Sequence, residues 1–178
     1  CQESDGGVAL LITSAERAEG LDREPAWIAA AAQGVAEDQW MLRSYYRDDI
    51  TGIPEMGLVA EPLWKSSGLG PADMQAAMLY DHFTPLVLPQ FEEFGFCAAG
   101  EAKDFIADGN IEVGGGLPIN TNGGQLGEAY IHGMNGIAEG VRQVRGTSVN
   151  QVDGAVNVLV TSGSGVPTSG LVLSSEGG

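Results

Sequence analysis

Residues 113–124 read VGGGLPINTNGG, and five of these twelve positions are glycine. A glycine loses more conformational freedom on ordering than any other residue, so neither a helix nor a strand interior tolerates this density. The segment must be a loop shaped by its backbone, and it divides the elements around it. Upstream, Val8 to Thr13 is a short continuous apolar run, the pattern of a strand buried on both faces. Residues 26–33, AWIAAAAQ, lie between Pro25 and Gly34, which confine them to strand length. Met74 to Leu79 is a third strand candidate. Residues 55–67 suggest a helix that Pro62 should break or kink. Thr84-Pro85 predicts a helix start with a hydroxyl cap, carrying Leu86, Val87, Phe91 and Phe94 on one side and ending at Gly95. A short helix over Ala99 to Ala107 closes at Asp108-Gly109. Downstream, Ile137, Val141 and Val144 predict a helix from Met134 to Arg145, and Gly154 to Thr161 and Gly170 to Ser174 predict two closing strands that pair antiparallel. Alternating strands and helices make the fold α/β, a mixed β-sheet covered by helices.

Charge restricts the partners. Eight Lys plus Arg stand against 24 Asp plus Glu, a formal net charge of -16, which opposes binding to a phosphate backbone and argues against nucleic acid. Anionic substrates then need a local basic patch, and the cations cluster only weakly, at Arg43 and Arg47 and at Arg142 and Arg145. The two cysteines, Cys1 and Cys97, allow no disulfide framework or structural metal motif, so no metal site is expected. No apolar run reaches membrane-spanning length and no secretory signal opens the sequence, which reads as cytoplasmic without membrane insertion. The sequence starts without Met and runs directly into GVALLIT, as expected of a chain that begins inside a larger domain and needs a complement.

The sharpest chemical feature is NTNGGQLGEAYIHGMNG, residues 120–136, a glycine-rich loop feeding a helix N-terminus. Such loops offer backbone N–H groups to an anion or a developing oxyanion. The segment resembles the thiolase motif NxxGG followed by GHPxGxxG, with Asn120, Gly123, Gly124, Gly133 and Gly136 at matching positions. Tyr130 then stands where that family has its catalytic histidine. Upstream, Tyr80-Asp81-His82-Phe83 resembles the thiolase motif NEAF, with Tyr80 in place of its asparagine. TPLVLPQFEEFGFCAAGEAKDFI is similar to the same region of sterol-carrier-type thiolases, and VDGAVNVLVTSGSG to their closing strand and turn. The resemblance spans roughly residues 4–174 and implies the C-terminal half of the thiolase fold. Residues 1–20 would be the end of the N-terminal half, its last strand, and residues 21–178 the C-terminal domain.

Departures from the thiolase pattern redirect the chemistry. No cysteine follows Cys97, and the final turn reads Ser162-Gly163-Ser164-Gly165. The double tyrosine replacement resembles the lipid-transfer-protein-like retro-aldolases of bacterial steroid side-chain breakdown. That resemblance implies a carbon-carbon lyase that splits a steroid-type β-hydroxyacyl-CoA into a ketone and a short acyl-CoA of the propionyl-CoA type. Such a reaction needs a base for the β-hydroxyl, donors for the enolate and an acid for its α-carbon. Tyr80 and Tyr130 are expected to divide the acid and base roles, in either order, with His82 and His132 as helpers and Gly123, Gly124, Gly163, Ser164 and Gly165 as the thioester-binding loop. A phenol acts as base at neutral pH only if its pKa, ordinarily about 10, is lowered by hydrogen bonds or positive charge. No cofactor is expected beyond coenzyme A as part of the substrate. The resemblance further implies a homodimer, an N-terminal thiolase half and an accessory OB-fold protein. A thiolase-type acyltransferase and a non-catalytic lipid- or acyl-CoA-binding subunit are the competing readings.

Several residues have plainer readings. Asp81, Glu92 and Glu93 read as solvated or capping charges, and Cys97 as a small buried side chain. The stretch with Trp40, Tyr45 and Tyr46 reads as a loop or lid.

Overall fold

Val158 and Val160 join one apolar cluster and Leu159 the other, the period-two alternation of a strand covered on both faces. The computed structural model describes residues 4–37, 47–163 and 168–177. Four strands, β1 (Trp27–Gly34), β2 (Ala76–Met78), β3 (Asn157–Ser162) and β4 (Thr168–Ser174), form one sheet in the order β1-β4-β3-β2. β1 and β3 both run antiparallel to β4, while β2 runs parallel to β3. The sheet is therefore mixed, as expected.

Helices lie on both faces. Two of them, α2 (Pro54–Ser67) and α3 (Leu88–Glu93), cover the first face, burying Met56, Val59, Leu63, Phe91 and Phe94 with Leu159 and Val172. The ring of Phe91 lies 5.1 Å from that of Phe105 in α4 (Ala102–Phe105). The other face is covered by α5 (Met134–Val144), whose Ile137, Val141 and Val144 meet Met78, Val158, Val160 and Leu173. A single helical turn, α1 (Ala15–Ala18), precedes the sheet.

Three expectations need correction. Val8 to Thr13 forms no strand; it pairs with no strand of the sheet, and Leu11 is 92% exposed and Ile12 74%. Pro62 does not break α2, which runs through it to Gly68 in the left-handed conformation. The helix loses the one N–H that the ring removes, and packing of Val59 and Leu63 against the sheet retains it. The helix expected from Thr84 splits into a 3₁₀ turn, Thr84–Leu86, followed by α3, and Thr84 makes no side-chain cap. Trp40, Tyr45, Tyr46 and Arg43 lie outside the described residues.

Gly140 lets α5 approach the sheet closely. A Cβ there would lie 2.8 Å from Val160 Cγ2 and 3.0 Å from Leu173 Cδ1. Gly140→Val should therefore lower unfolding free energy by about 1–3 kcal/mol through overpacking, measured by denaturant titration.

Candidate active site

Strand β2 delivers Tyr80, and residues 118–120 deliver the glycine loop to the same place. Ala77 donates its N–H to the Pro118 carbonyl at 3.0 Å, and the Asn120 N–H donates to the Ala77 carbonyl at 3.0 Å. The side chain of Asn120 then accepts the Leu79 N–H at 2.7 Å. Asn120 adopts φ +45°, a region that asparagine tolerates better than most residues, and this turns the chain into the loop. Ten residues further on stands Tyr130, just ahead of α5. The hydroxyls of Tyr80 and Tyr130 meet at 3.1 Å. Two phenols fifty positions apart in sequence thus share one hydrogen bond.

The loop is held by side chains. Asp81 accepts the Gln125 N–H at 2.9 Å, and a Cβ on Gly124 would collide with its carboxylate. Gln125 is buried and its Oε1 accepts the Gly133 N–H at 3.1 Å. From α5, Asn135, Glu139 and Gln143, four residues apart, present a buried polar stripe to the loop. Asn135 donates to the Gly124 carbonyl at 3.2 Å. Glu139, 2% exposed, accepts from Thr121 Oγ1 at 2.5 Å, Ser148 Oγ at 2.6 Å and Gln143 Nε2 at 3.1 Å. Gln143 also donates to the Asn150 carbonyl at 2.8 Å and accepts the Val152 N–H at 2.9 Å.

Electrostatics at the pair differ from the expected requirement. Burial, the hydrogen-bonded Tyr80 and the nearby Asp81 carboxylate push the Tyr130 phenol above its ordinary pKa, so it keeps its proton at neutral pH. His82 and His132 do flank the phenols, with ring centroids 4.9 Å from Tyr80 and 4.8 Å from Tyr130. Burial lowers the His82 pKa, against the opposing charge of Asp81, so His82 is neutral near pH 7 and supplies no positive charge. Arg47 is paired with Glu55 at 2.9 Å, and Arg142 with Glu128 at 3.0 Å and Glu139 at 3.1 Å.

Two of the glycines expected in the thioester-binding loop use their amides within the loop. Gly123 donates its N–H to the Asn120 carbonyl at 2.7 Å and Gly124 to Asn122 Oδ1 at 3.2 Å, so both amides are engaged within the loop. Gly163 lies at the end of β3 with φ +78°, and Ser164 and Gly165 are outside the described residues. Among the other acidic residues, Glu92 caps α4 by accepting the Ala102 N–H at 3.1 Å. Glu93 is half-buried and accepts the Ile53 N–H at 3.1 Å. Cys97 is partly buried, and burial together with Glu92 and Glu101 raises its thiol pKa, which makes it a poor nucleophile.

Sequence reasoning missed Gln90, Thr161 and Ser162. The Gln90 amide donates to the Tyr80 carbonyl at 2.8 Å, and Thr161 Oγ1 accepts the Tyr80 N–H at 2.9 Å. Ser162 stands beside the pair; a Cβ on Gly133 would lie 2.6 Å from its hydroxyl and 3.5 Å from the Tyr80 ring. A signal for Gln90 was present, since it lies between Val87, Phe91 and Phe94 on the core side of its helix. Among the described residues no cluster of His, Cys, Asp and Glu could hold a metal ion, and no helix is long and apolar enough to cross a membrane.

A mixed sheet between helical layers, with its functional side chains at a strand end and at the loop before α5, defines a thiolase-type α/β domain. The chain belongs to the thiolase C-terminal domain-like family, whose model matches residues 36–174. It is 70% identical, over 99% of its length, to a steroid side-chain-cleaving aldolase of Thermomonospora curvata. It is 69% identical, over 97% of its length, to the 17-hydroxy-3-oxo-4-pregnene-20-carboxyl-CoA lyase of Mycobacterium tuberculosis. The chain spans 45% of each of these relatives. A solved structure of an Ltp2-ChsH2(DUF35) aldolase matches 90% of the chain with a TM-score of 0.86 and 71% identity, and 42% of that protein is covered.

Glu139 makes the loop anchorage sensitive to acid. Burial raises its pKa, but hydrogen bonds from Ser148, Thr121, Gln143 and Arg142 outweigh burial and leave it below the ordinary value. The stabilisation is present above the unfolded glutamate pKa, about 4.3, and is lost as pH falls through the lower folded value. Glu139→Gln should be less stable than wild type at neutral pH, and the gap should narrow below about pH 4.3, followed by denaturant titration across pH.

Proposed function

We propose that the protein cleaves a steroid-type β-hydroxyacyl-CoA by a retro-aldol reaction to a ketone and a short acyl-CoA of the propionyl-CoA type. The observation that carries this reading is the 3.1 Å contact of the Tyr80 and Tyr130 hydroxyls. The names of the two relatives near 70% identity, an aldolase and a carboxyl-CoA lyase, support it.

The raised pKa of Tyr130 suits it to the acid role, which leaves Tyr80 as base. Tyr80 takes the proton of the substrate β-hydroxyl as it passes its own hydroxyl proton across the shared hydrogen bond to Tyr130. The new carbonyl forms as the α,β carbon-carbon bond breaks, and its electron pair passes into the thioester as an enolate. Tyr130, receiving that proton, gives its own to the α-carbon, so both tyrosines end as the neutral phenols they began as. One proton is removed and one returned, with no oxidant and no free coenzyme A. Coenzyme A enters only as part of the substrate. Gly163, Ser164 and Gly165 are assigned the thioester contacts on the sequence resemblance, and His82 and His132 wall the phenols.

The relatives are about twice as long as this chain. Residues 1–20 are read as the end of a preceding thiolase half and residues 21–178 as the C-terminal domain, with the preceding half supplying the coenzyme A contacts. The active assembly is a cytoplasmic homodimer with a separately encoded OB-fold subunit. The two-part name of the Ltp2-ChsH2(DUF35) aldolase supports an accessory component.

Tyr80→Phe and Tyr130→Phe should each slow cleavage by about 10²–10⁴-fold with unchanged circular dichroism, assayed in the complete enzyme by chromatography of the acyl-CoA product. Wild-type rates in either variant would refute the assignment. Product that appears only with added free coenzyme A would identify an acyltransferase instead.

A further inference from the structure

Tyr80 lies two residues beyond β2, alongside the end of β3, where a parallel ladder would ordinarily continue through backbone groups. Side chains replace that pairing here. The Tyr80 N–H donates to Thr161 Oγ1 at 2.9 Å, and the Tyr80 carbonyl accepts from Gln90 Nε2 at 2.8 Å. Thr161 Oγ1 in turn donates to Gln90 Oε1 at 2.7 Å, which closes a ring of three hydrogen bonds around one peptide unit on each side of Tyr80. Gln90 is 0% exposed and Thr161 2%. Its second amide hydrogen is fixed by the Leu86 carbonyl at 2.9 Å, so the Gln90 carboxamide has a single orientation.

The two faces of the sheet explain the arrangement. Leu159 and Thr161 project toward α3, whereas Met78 and Tyr80 project toward α5. Thr161 and Gln90 therefore grip the Tyr80 backbone from the side opposite its phenol and touch neither hydroxyl of the pair. Apolar packing limits where a ring can go but does not fix its backbone direction, whereas three directed bonds do.

We infer that Gln90 and Thr161 are positioning residues for Tyr80, setting the direction in which its phenol meets Tyr130 and the substrate. This rests on the acid-base reading of the tyrosine pair. A ring displaced by even about 1 Å loses near-attack geometry, and such losses reach about a hundredfold in rate.

The test compares Thr161→Val, which keeps shape and removes the hydroxyl, with Thr161→Ser, which restores it. Both are made in the complete enzyme, with any accessory subunit that its activity requires. Thr161→Val should lower kcat by about tenfold to a hundredfold with KM within twofold, and Thr161→Ser should recover most of the loss. The crystal structure of Thr161→Val should show the Tyr80–Tyr130 oxygens moved beyond hydrogen-bond distance. Gln90→Glu, which removes the donor to the Tyr80 carbonyl, should give the same separation if the valine variant does not fold. An unmoved oxygen pair in a folded Thr161→Val, whatever its kcat, overturns the inference. Separated oxygens with full activity would instead sink the acid-base reading, as would activity in Tyr80→Phe.

Discussion

Strand β2 has a neighbour on each edge, β3 on one and residues 118–120 on the other, and the site follows from that double pairing. A strand of three residues contributes little by itself. Placed between these two partners, it brings the end of β3, the glycine loop and its own continuation at Tyr80 within reach of one another. Tyr130 has no comparable support from strand pairing. Its place depends on the loop, which is tied to Asp81 at one end and to the polar stripe of α5 along its length.

The pair operates in an acidic protein, and that limits the chemistry open to it. A phenolate would gain from a nearby cation. His82 is held neutral by burial, and Arg47 and Arg142 are committed to carboxylates. The Asp81 charge further disfavours a phenolate at Tyr130. A protonated phenol is a directed hydrogen-bond donor that brings no charge of its own, so it can stabilise a developing enolate without a charge to be neutralised beforehand. The hydrogen bond to its neighbour then gives the proton a path that does not pass through bulk water.

Much of this was legible from spacing. The strand at 26–33, the closing pair with its antiparallel sense and the helix from Met134 follow from residue patterns, whereas the meeting of Tyr80 with Tyr130 was implied by the resemblance to two thiolase motifs. The apolar run at Val8–Thr13 was misleading, because local pattern reports a preference for strand and says nothing of a pairing partner. The glycine loop was located correctly, but its Gly123 and Gly124 amides turned out to be donors within the loop. Composition identifies flexible backbone and says nothing of which acceptors lie nearest.

Buried polar residues were the least legible, for a definite physical reason. Asn135, Glu139 and Gln143 sit four apart on α5 and, by sequence, describe the solvent face of an amphipathic helix. They are buried because the glycine loop and residues 148–152 lie over them. That loop has few apolar side chains to pack and few ladder bonds, so its N–H, C=O and hydroxyl groups need partners from elsewhere. The same need explains Gln90 and Thr161 at the end of β2, where regular pairing stops. The polar side chains buried at the end of β2 and around the glycine loop hold the backbone segments from which Tyr80 and Tyr130 project. Directed bonds, which cost more to bury than hydrocarbon, are concentrated where orientation matters and packing alone would leave it undefined.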